Sequence, residues 1–255
     1  MIQHSRISTL ATSSLASSAV PAKNQKNQLD QLRSWGETVK LERGDSVCRE
    51  HDRADHIHCV VSGLVTRYVI RPDGHRQIID LAMPGDFFGF THCRQYRFAA
   101  EAGIDSTMVM RFSRRRIEAF AASNADIANG LRDASDEALD RTEQHLLVMG
   151  RITAPEKVGS FLIEIIRRLN GQTADVAIPI SRYDIADFLS ISVETVSRAL
   201  TELRQRGFIQ LMGPRHIRIV DRSALEEGGA EEGTLLPAGE RGDSRARIVA
   251  HRPSV

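Results

Sequence analysis

Residues 180–200 of this 255-residue chain read ISRYDIADFLSISVETVSRAL, and this stretch decides the fold of the C-terminal part. Ser181 and Asp184 form a capping box, which predicts the start of a short helix. Ser192 is a helix cap at the start of a second helix, which Gly207 ends. Two short helices that cross over a tight turn are typical of a helix-turn-helix.

The two helices are predicted over Tyr183–Leu189 and Val193–Arg206, and Ser190-Ile191 makes the turn between them. The apolar strands Phe208–Leu211 and His216–Val220 come next, which predicts a β-hairpin of the kind called a wing. The contacts between the two helices are expected from Ile185, Ala186, Leu189, Val196, Leu200 and Leu203.

The start of the second helix carries residues suited to reading bases. Val193, Glu194, Ser197 and Arg198 share one face of its first two turns. Arg198 can bond bidentately to O6 and N7 of a guanine, and Glu194 can accept from a cytosine amino group. Val193 and Ser197 suit contact with thymine methyl groups or a light polar contact. The sequence therefore predicts direct reading of bases in the major groove of double-stranded DNA.

Further residues around the two helix starts can contact the phosphates. These are Ser181, Arg182, Ser192, Thr195, Arg204 and Arg215. The alternative reading is that Glu194 and Arg198 form an ordinary surface ion pair with i,i+4 spacing. The order of capped helix, turn, capped helix and wing favours base reading.

The first half of the chain reads as short strands punctuated by glycine. Apolar or β-branched runs recur from about residue 35 to residue 112, and Pro72-Asp73-Gly74 is a hairpin signal between two of them. Evenly spaced short strands without intervening helices predict an antiparallel sandwich or jelly roll.

A long helix is expected between the two halves. From Asn124 to about Gly150 there is no proline, which allows a helix about 40 Å long. A partner helix in a homodimer is the favoured cover for its apolar seam, and the alternative is a core helix covered by its own chain. The seam residues are Ile127, Leu131, Ala134, Ala138 and Val148, interrupted by Arg141 and His145.

Composition divides the chain and excludes several classes of protein. The net charge is +1, no run approaches the length of a membrane span, and three cysteines without a CxxC pair provide neither a disulfide framework nor a thiolate metal site. We expect a cytoplasmic protein that does not contact the membrane. The predicted divisions are a disordered segment 1–28, a β-roll 29–122, a dimerisation helix 123–150, a winged helix-turn-helix 151–225 with its motif at about 182–201, and a flexible tail 226–255.

The helix-turn-helix segment resembles the DNA-reading element of the CRP/FNR family of transcription regulators, and the resemblance covers about residues 35–222. Val193-Glu-Thr-Val-Ser-Arg198 is closer to the FNR and FixK branch than to the cyclic AMP branch. The resemblance implies an α+β protein: a jelly roll like a cyclic-nucleotide-binding domain, a dimer helix and a winged helix-turn-helix. It also implies a homodimer on a TTGA-type inverted repeat, RNA polymerase as a partner, and activation in a low-oxygen or nitrogen-fixation setting. Ser190 departs from the family, which usually has glycine at this turn.

The roll lacks the residues by which relatives hold an effector. Phe90 stands where nucleotide-binding members carry a glutamate, and Arg97-Phe98 lacks the hydroxyl of their Arg-Ser pair, so we expect no tight cyclic nucleotide binding. Residues 1–47 contain no cysteine, unlike the N-terminus of iron–sulfur members. His56 and His58 would share a strand face, but histidine on a strand is more often a surface or packing residue than a haem or metal ligand. We expect no cofactor, and a redox-responsive Cys93 remains open.

An enzyme is the alternative from another class, because metal-dependent cupins also pair a jelly roll with His-x-His. Their pattern needs a carboxylate three or four residues after the second histidine, whereas His58 is followed by Cys59-Val60-Val61-Ser62-Gly63. The spacing argues against a cupin, and an enzyme would leave the helix-turn-helix without a role.

Overall fold

The computed structural model describes residues 35–170, 175–177, 180–213 and 216–226. The predicted tails, 1–28 and 226–255, lie outside these residues except for Glu226, and so does Arg215. In chain order the N-terminal elements are β1 (Glu37–Leu41), β2 (Ser46–Cys48), β3 (His56–Ser62), β4 (Val65–Ile70), β5 (Arg76–Ala82), β6 (Phe87–Phe88), β7 (Ala99–Ala102), β8 (Thr107–Ser113) and α1 (Arg114–Ala121). They are followed by α2 (Ala125–Met149), α3 (Ala154–Asn170), β9 (Asp175–Ala177), α4 (Arg182–Leu189), α5 (Val193–Gln205), β10 (Ile209–Gly213), β11 (His216–Ile219) and α6 (Arg222–Glu226).

The N-terminal strands form two antiparallel sheets that face each other, which confirms the predicted roll. One sheet has the order β1-β8-β3-β6 and the other the order β2-β7-β4-β5. The predicted hairpin joins β4 to β5, with Gly74 at φ +82° and the Asp73 carboxylate accepting from the His75 amide at 3.0 Å. Between the sheets lies a core that includes Val60, Val65, Phe88, Tyr96, Phe98 and Val109.

The long helix α2 is present, but much of its predicted seam faces its own chain. Ile127 and Ala134 are buried with Ile57, Phe87, Phe112 and Ile117 of the roll and α1, and Leu131 packs partly against the same cluster. Val148 is buried among residues of α3. These side chains therefore pack as in the alternative expectation, that of a helix covered by its own chain. The roll and the helix after it present aromatic and aliphatic side chains that already cover this stripe.

Arg141, read as an interruption of the seam, anchors α2 to the roll. Its guanidinium lies 3.5 Å from the Asp80 carboxylate and 3.3 Å from that of Asp86. Arg67 donates to Asp80 at 2.9 Å, and Arg168 of α3 pairs with Asp86. Burial alone would raise the pKa of Asp80, but the surrounding guanidinium groups outweigh it and hold the pKa below its usual range. Asp80 is therefore an ionised carboxylate at the junction of roll, long helix and α3.

The C-terminal part is a winged helix-turn-helix, as predicted. The observed helices, Arg182–Leu189 and Val193–Gln205, agree with the predicted ones to within one residue at each end. The strands form a three-stranded sheet of order β10-β11-β9, in which β10 and β11 are the hairpin of the wing. Within the described ranges, no helix combines the length and the apolar character needed to cross a membrane.

Candidate nucleic-acid interface

The two helices of the motif begin at well-formed caps. The Ser181 hydroxyl accepts from the Asp184 amide at 3.1 Å, and the Asp184 carboxylate accepts from the Ser181 amide at 3.2 Å, which completes the predicted capping box. At the second helix, the Ser192 hydroxyl accepts from the Thr195 amide at 3.1 Å. These caps fix where each helix starts and how its first turn is presented.

One face of α5 packs against the core of the C-terminal part, and the opposite face is exposed to solvent. Val196, Ala199, Leu200 and Leu203 are buried on the inner side, where they join the core of the C-terminal part. Glu194 and Arg198 are exposed, and Val193 and Ser197 are half-buried at the edge of the same outer face. The predicted base-reading residues therefore lie together on an accessible helix surface.

Glu194 is held in the form that accepts hydrogen bonds. Hydrogen bonds from its own backbone amide and from Ser192, with the charge of Arg198, lower the pKa of Glu194 below its usual value. Within the part of the chain that the structure describes, no ion pair of 4.0 Å or less joins Glu194 to Arg198. Both side chains are thus available to an external partner.

Arg182 links the two helices directly. Its guanidinium donates to the Ser197 hydroxyl at 3.2 Å, so a residue predicted to contact phosphate also touches the reading face. Because the Ser197 oxygen accepts this bond, its own proton remains available to an acceptor on a partner. The sequence did not predict this contact, since it joins residues 15 positions apart in different helices.

Three other predicted phosphate residues, Ser192, Thr195 and Arg204, lie on α5 or at its N-cap. The hydroxyls of Ser192 and Thr195 lie 3.0 Å apart at the start of α5. Arg204 is exposed near its C-terminal end. Sequence reasoning missed Thr201 and Gln205, which share a shallow depression with Ser197 and Arg198. Helical spacing could have indicated them, because Thr201 and Gln205 lie one and two turns beyond Ser197 and Arg198 on the same side of α5.

The interior of the roll is filled by side chains. Phe98 is buried, and the Cζ of Arg67 lies 4.1 Å from the centre of its ring. The Tyr96 ring packs against the Phe98 ring with 5.6 Å between their centroids. Arg97, at the position where nucleotide-binding members hold the phosphate, is exposed. The Arg67 guanidinium is thus stacked on an aromatic ring and paired with the Asp80 carboxylate.

Among the histidines of the roll, His58 is placed as a packing residue. His58 is 4% exposed and stacks on Phe88 at 5.0 Å, with the His56 ring 6.3 Å away. Among the described residues there is no group of three or more side chains suited to hold a metal ion. The Cys93 sulfur lies 3.6 Å from the Nε2 of His92.

Comparison with known proteins matches both halves of the chain. Residues 156–227 match the model of a Crp-like helix-turn-helix domain, and residues 38–124 match that of a cyclic nucleotide-binding domain. The chain is 39% identical over 194 residues to the nitrogen fixation regulation protein FixK of Azorhizobium caulinodans, which covers 74% of this chain and 78% of that protein.

Two further matches extend the similarity. The chain is 34% identical over 180 residues to the transcriptional activatory protein AadR of Rhodopseudomonas palustris, covering 69% of this chain and 74% of that one. The structure of FixK2 from Bradyrhizobium japonicum superposes with a TM-score of 0.71 at 36% identity, covering 77% of this chain and 98% of that chain. The similarity spans the roll, the long helix and the helix-turn-helix.

Proposed function

The chain belongs to the CRP/FNR family of transcription regulators, in its FixK-like branch, and from this premise we propose that it reads a TTGA-type inverted repeat in double-stranded DNA as a homodimer. The observation that carries the proposal is the exposure of Glu194 and Arg198 on a capped helix whose opposite face is buried. A helix presented in this way can enter the major groove with its first turns against the base edges.

Each reading residue has a role that its chemistry fits. Arg198 donates two hydrogen bonds to the half-site guanine, and Glu194 accepts from the amino group of a cytosine on the opposite strand. Val193 and Ser197, at the edge of the same face, contact thymine methyl groups. Arg182, Ser192, Thr195 and Arg204 contact phosphates and fix the register of the protein on the duplex.

The exposed leucines of α2 supply the dimer seam. Leu139 is 57% exposed and Leu146, seven residues on, is 66% exposed on the same side of the helix. Leu147 is 65% exposed beside them. A seven-residue spacing of apolar side chains is the pattern of paired helices, and this side of α2 faces away from the roll. A second copy of the chain is the occupant that buries this stripe and also creates the twofold symmetry that an inverted repeat requires.

The setting of the regulator follows from its relatives. We place it in the cytoplasm, as an activator that engages RNA polymerase in the control of nitrogen fixation or of the response to low oxygen. The names of FixK and AadR, a nitrogen fixation regulator and a transcriptional activatory protein, support this setting. A metal-dependent enzyme built on the roll is disfavoured, because these relatives are transcription regulators.

The roll acts without a tightly bound cyclic nucleotide. The packing of Phe98 between Arg67 and Tyr96 and the exposure of Arg97 support this. We expect the purified protein to bind its palindrome without added ligand. A titration in which cyclic AMP raised the affinity for DNA tenfold or more would overturn this part of the proposal.

The test of base reading is Arg198→Ala, measured by fluorescence anisotropy on three duplexes. These are the palindrome, the palindrome with each half-site guanine replaced, and a scrambled sequence of equal length. We expect the variant to lose its preference for the guanine, which is about 1–3 kcal/mol for each bidentate contact, and to keep weak, salt-sensitive binding.

Arg204→Ala is the matched control, since it removes a predicted phosphate contact at the far end of the same helix. It should weaken binding to all three duplexes by similar factors. Equal losses on specific and scrambled DNA for Arg198→Ala would show that Arg198 contacts only phosphate.

A further inference from the structure

The C-terminal end of α4 is capped by residues from outside its own domain. The last carbonyls of a helix have no partner within it. The Gln77 side-chain amide of β5 donates to the carbonyl oxygen of Asp187 at 2.8 Å. The Nε2 of His145, on α2, lies 2.8 Å from the carbonyl oxygen of Phe188. The roll and the long helix thus provide the C-cap of the first helix of the motif.

The side of α4 is held by an arginine that is itself fixed in the roll. Arg76 donates to the Asp184 carboxylate at 3.1 Å and lies 3.7 Å from that of Asp187. Its other terminal nitrogen donates to Glu101 at 2.7 Å, and its guanidinium lies 4.4 Å from the centre of the Tyr68 ring. Because Asp184 is also part of the N-terminal capping box, Arg76 contacts the same residue that sets the start of α4.

Ser190 adds a contact that glycine could not make. It lies in the left-handed region at φ +52°, which a side chain adopts only at a cost. Its hydroxyl donates to the Gln77 side-chain oxygen. The departure from the family's usual glycine therefore coincides with an added hydrogen bond between the turn and the roll.

His145 ties all three parts together. Its Nδ1 lies 3.2 Å from the carbonyl oxygen of Ile79 in the roll, while its ring stacks on Phe188 at 3.8 Å and 10°. Phe188 is buried against Phe161 of α3 as well. A residue of the long helix thus contacts both the roll and the end of α4.

We propose that Arg76, Gln77, His145 and Ser190 are positioning residues that set the orientation of the reading helix relative to the long helix, and so select the spacing between the two half-sites. This inference rests on the proposed function. The buried side chains of α4 and α5 lie in one core, so an orientation imposed on α4 is transmitted to α5. If α2 pairs with its copy, a fixed angle between α2 and α5 fixes the distance between the two reading helices.

The contact positions the reading helix without obstructing it. The four positioning residues lie on β5, on α2 or directly after α4, and their contacts on α4 are with Asp184, Asp187 and Phe188, while Glu194 and Arg198 stay exposed. The docked arrangement is therefore compatible with DNA at the reading face.

The test measures affinity for a set of palindromes with identical half-sites and a central spacer shortened or lengthened by one and two base pairs. The full-length protein should prefer one spacing. Arg76→Ala/Gln77→Ala should flatten this preference by about tenfold or more while keeping the preference for the half-site guanine. Arg71→Ala, at an exposed position in the turn between β4 and β5, is the control and should leave the spacing profile unchanged.

Ser190→Gly is the second variant, because it removes the contact to Gln77 and relieves the positive φ, so loss of folding is not a concern. A partial flattening of the spacing profile is expected. The inference is overturned if both variants keep the wild-type profile, or if they bind more tightly at every spacing, which would make the contact a restraint on DNA binding. If the wild-type protein itself showed no preference for the half-site guanine, the proposed function would be contradicted instead.

Discussion

Individual residues in this chain take roles that depend on what surrounds them. Arg141 interrupts the apolar repeat of α2, so the sequence alone suggests that it weakens helix pairing there. In the structure it pairs with Asp80 and Asp86 and joins the long helix to the roll. The sequence contains no signal for these pairs, since their members lie far apart along the chain and charge alone does not choose among many possible partners.

His58 gives a prediction at the same scale. Burial, together with the charges of His56, Arg111 and Arg114, lowers the pKa of His58 to about 3. Between about pH 6.5 and pH 3 the unfolded chain binds a proton at His58 that the folded chain does not bind. The free energy of unfolding therefore falls as the pH falls through this range. In urea unfolding, the wild type should lose free energy of unfolding between pH 7.0 and pH 5.5. His58→Leu should lose about 1 kcal/mol less over the same range.

His75→Leu is the matched control, since it also replaces an imidazole of the roll by leucine but does so at an exposed position. An unchanged pH dependence in His58→Leu would mean that His58 is accessible to protons in the folded protein.

At the scale of elements, local signals predicted where helices begin and end. The caps Ser181 and Ser192 placed α4 and α5 to within a residue, because a cap and the first turn lie close together in sequence. The surface that covers the apolar stripe of α2 could not be predicted from local signals. Periodicity shows that one stripe of a helix is buried, but not which surface covers it, and here the roll covers Ile127 and Ala134.

The remaining apolar stripe of α2 leads to a prediction about assembly. Leu139→Glu/Leu146→Glu places like charges opposite each other across the proposed seam, so sedimentation equilibrium should show the dimer dissociation constant raised by about tenfold or more. Ile70→Glu changes an exposed apolar residue of the roll in the same way and should leave the dimer intact. A dimer equally stable in both variants would place the seam elsewhere.

At the scale of the whole molecule, the order of roll, long helix and winged helix-turn-helix could be predicted, because each part has its own composition and punctuation. The contacts between the parts could not. Gln77 and His145 reach α4 over separations of 110 and 43 residues, and no local pattern indicates such pairs. The packing of α5 relative to the rest of the chain is therefore a finding of the structure, whereas the residues proposed to read bases were chosen from the sequence.

The central claim is that Arg198 of each protomer enters the major groove at two symmetric half-sites. Dimethyl sulfate footprinting tests it directly, since the reagent methylates guanine N7 in the major groove and adenine N3 in the minor groove. We predict protection of the guanine N7 in both half-sites, about one helical turn apart, and loss of that protection in Arg198→Ala at saturating protein. Protection confined to adenine N3, or guanine protection that persists in Arg198→Ala, would contradict the account.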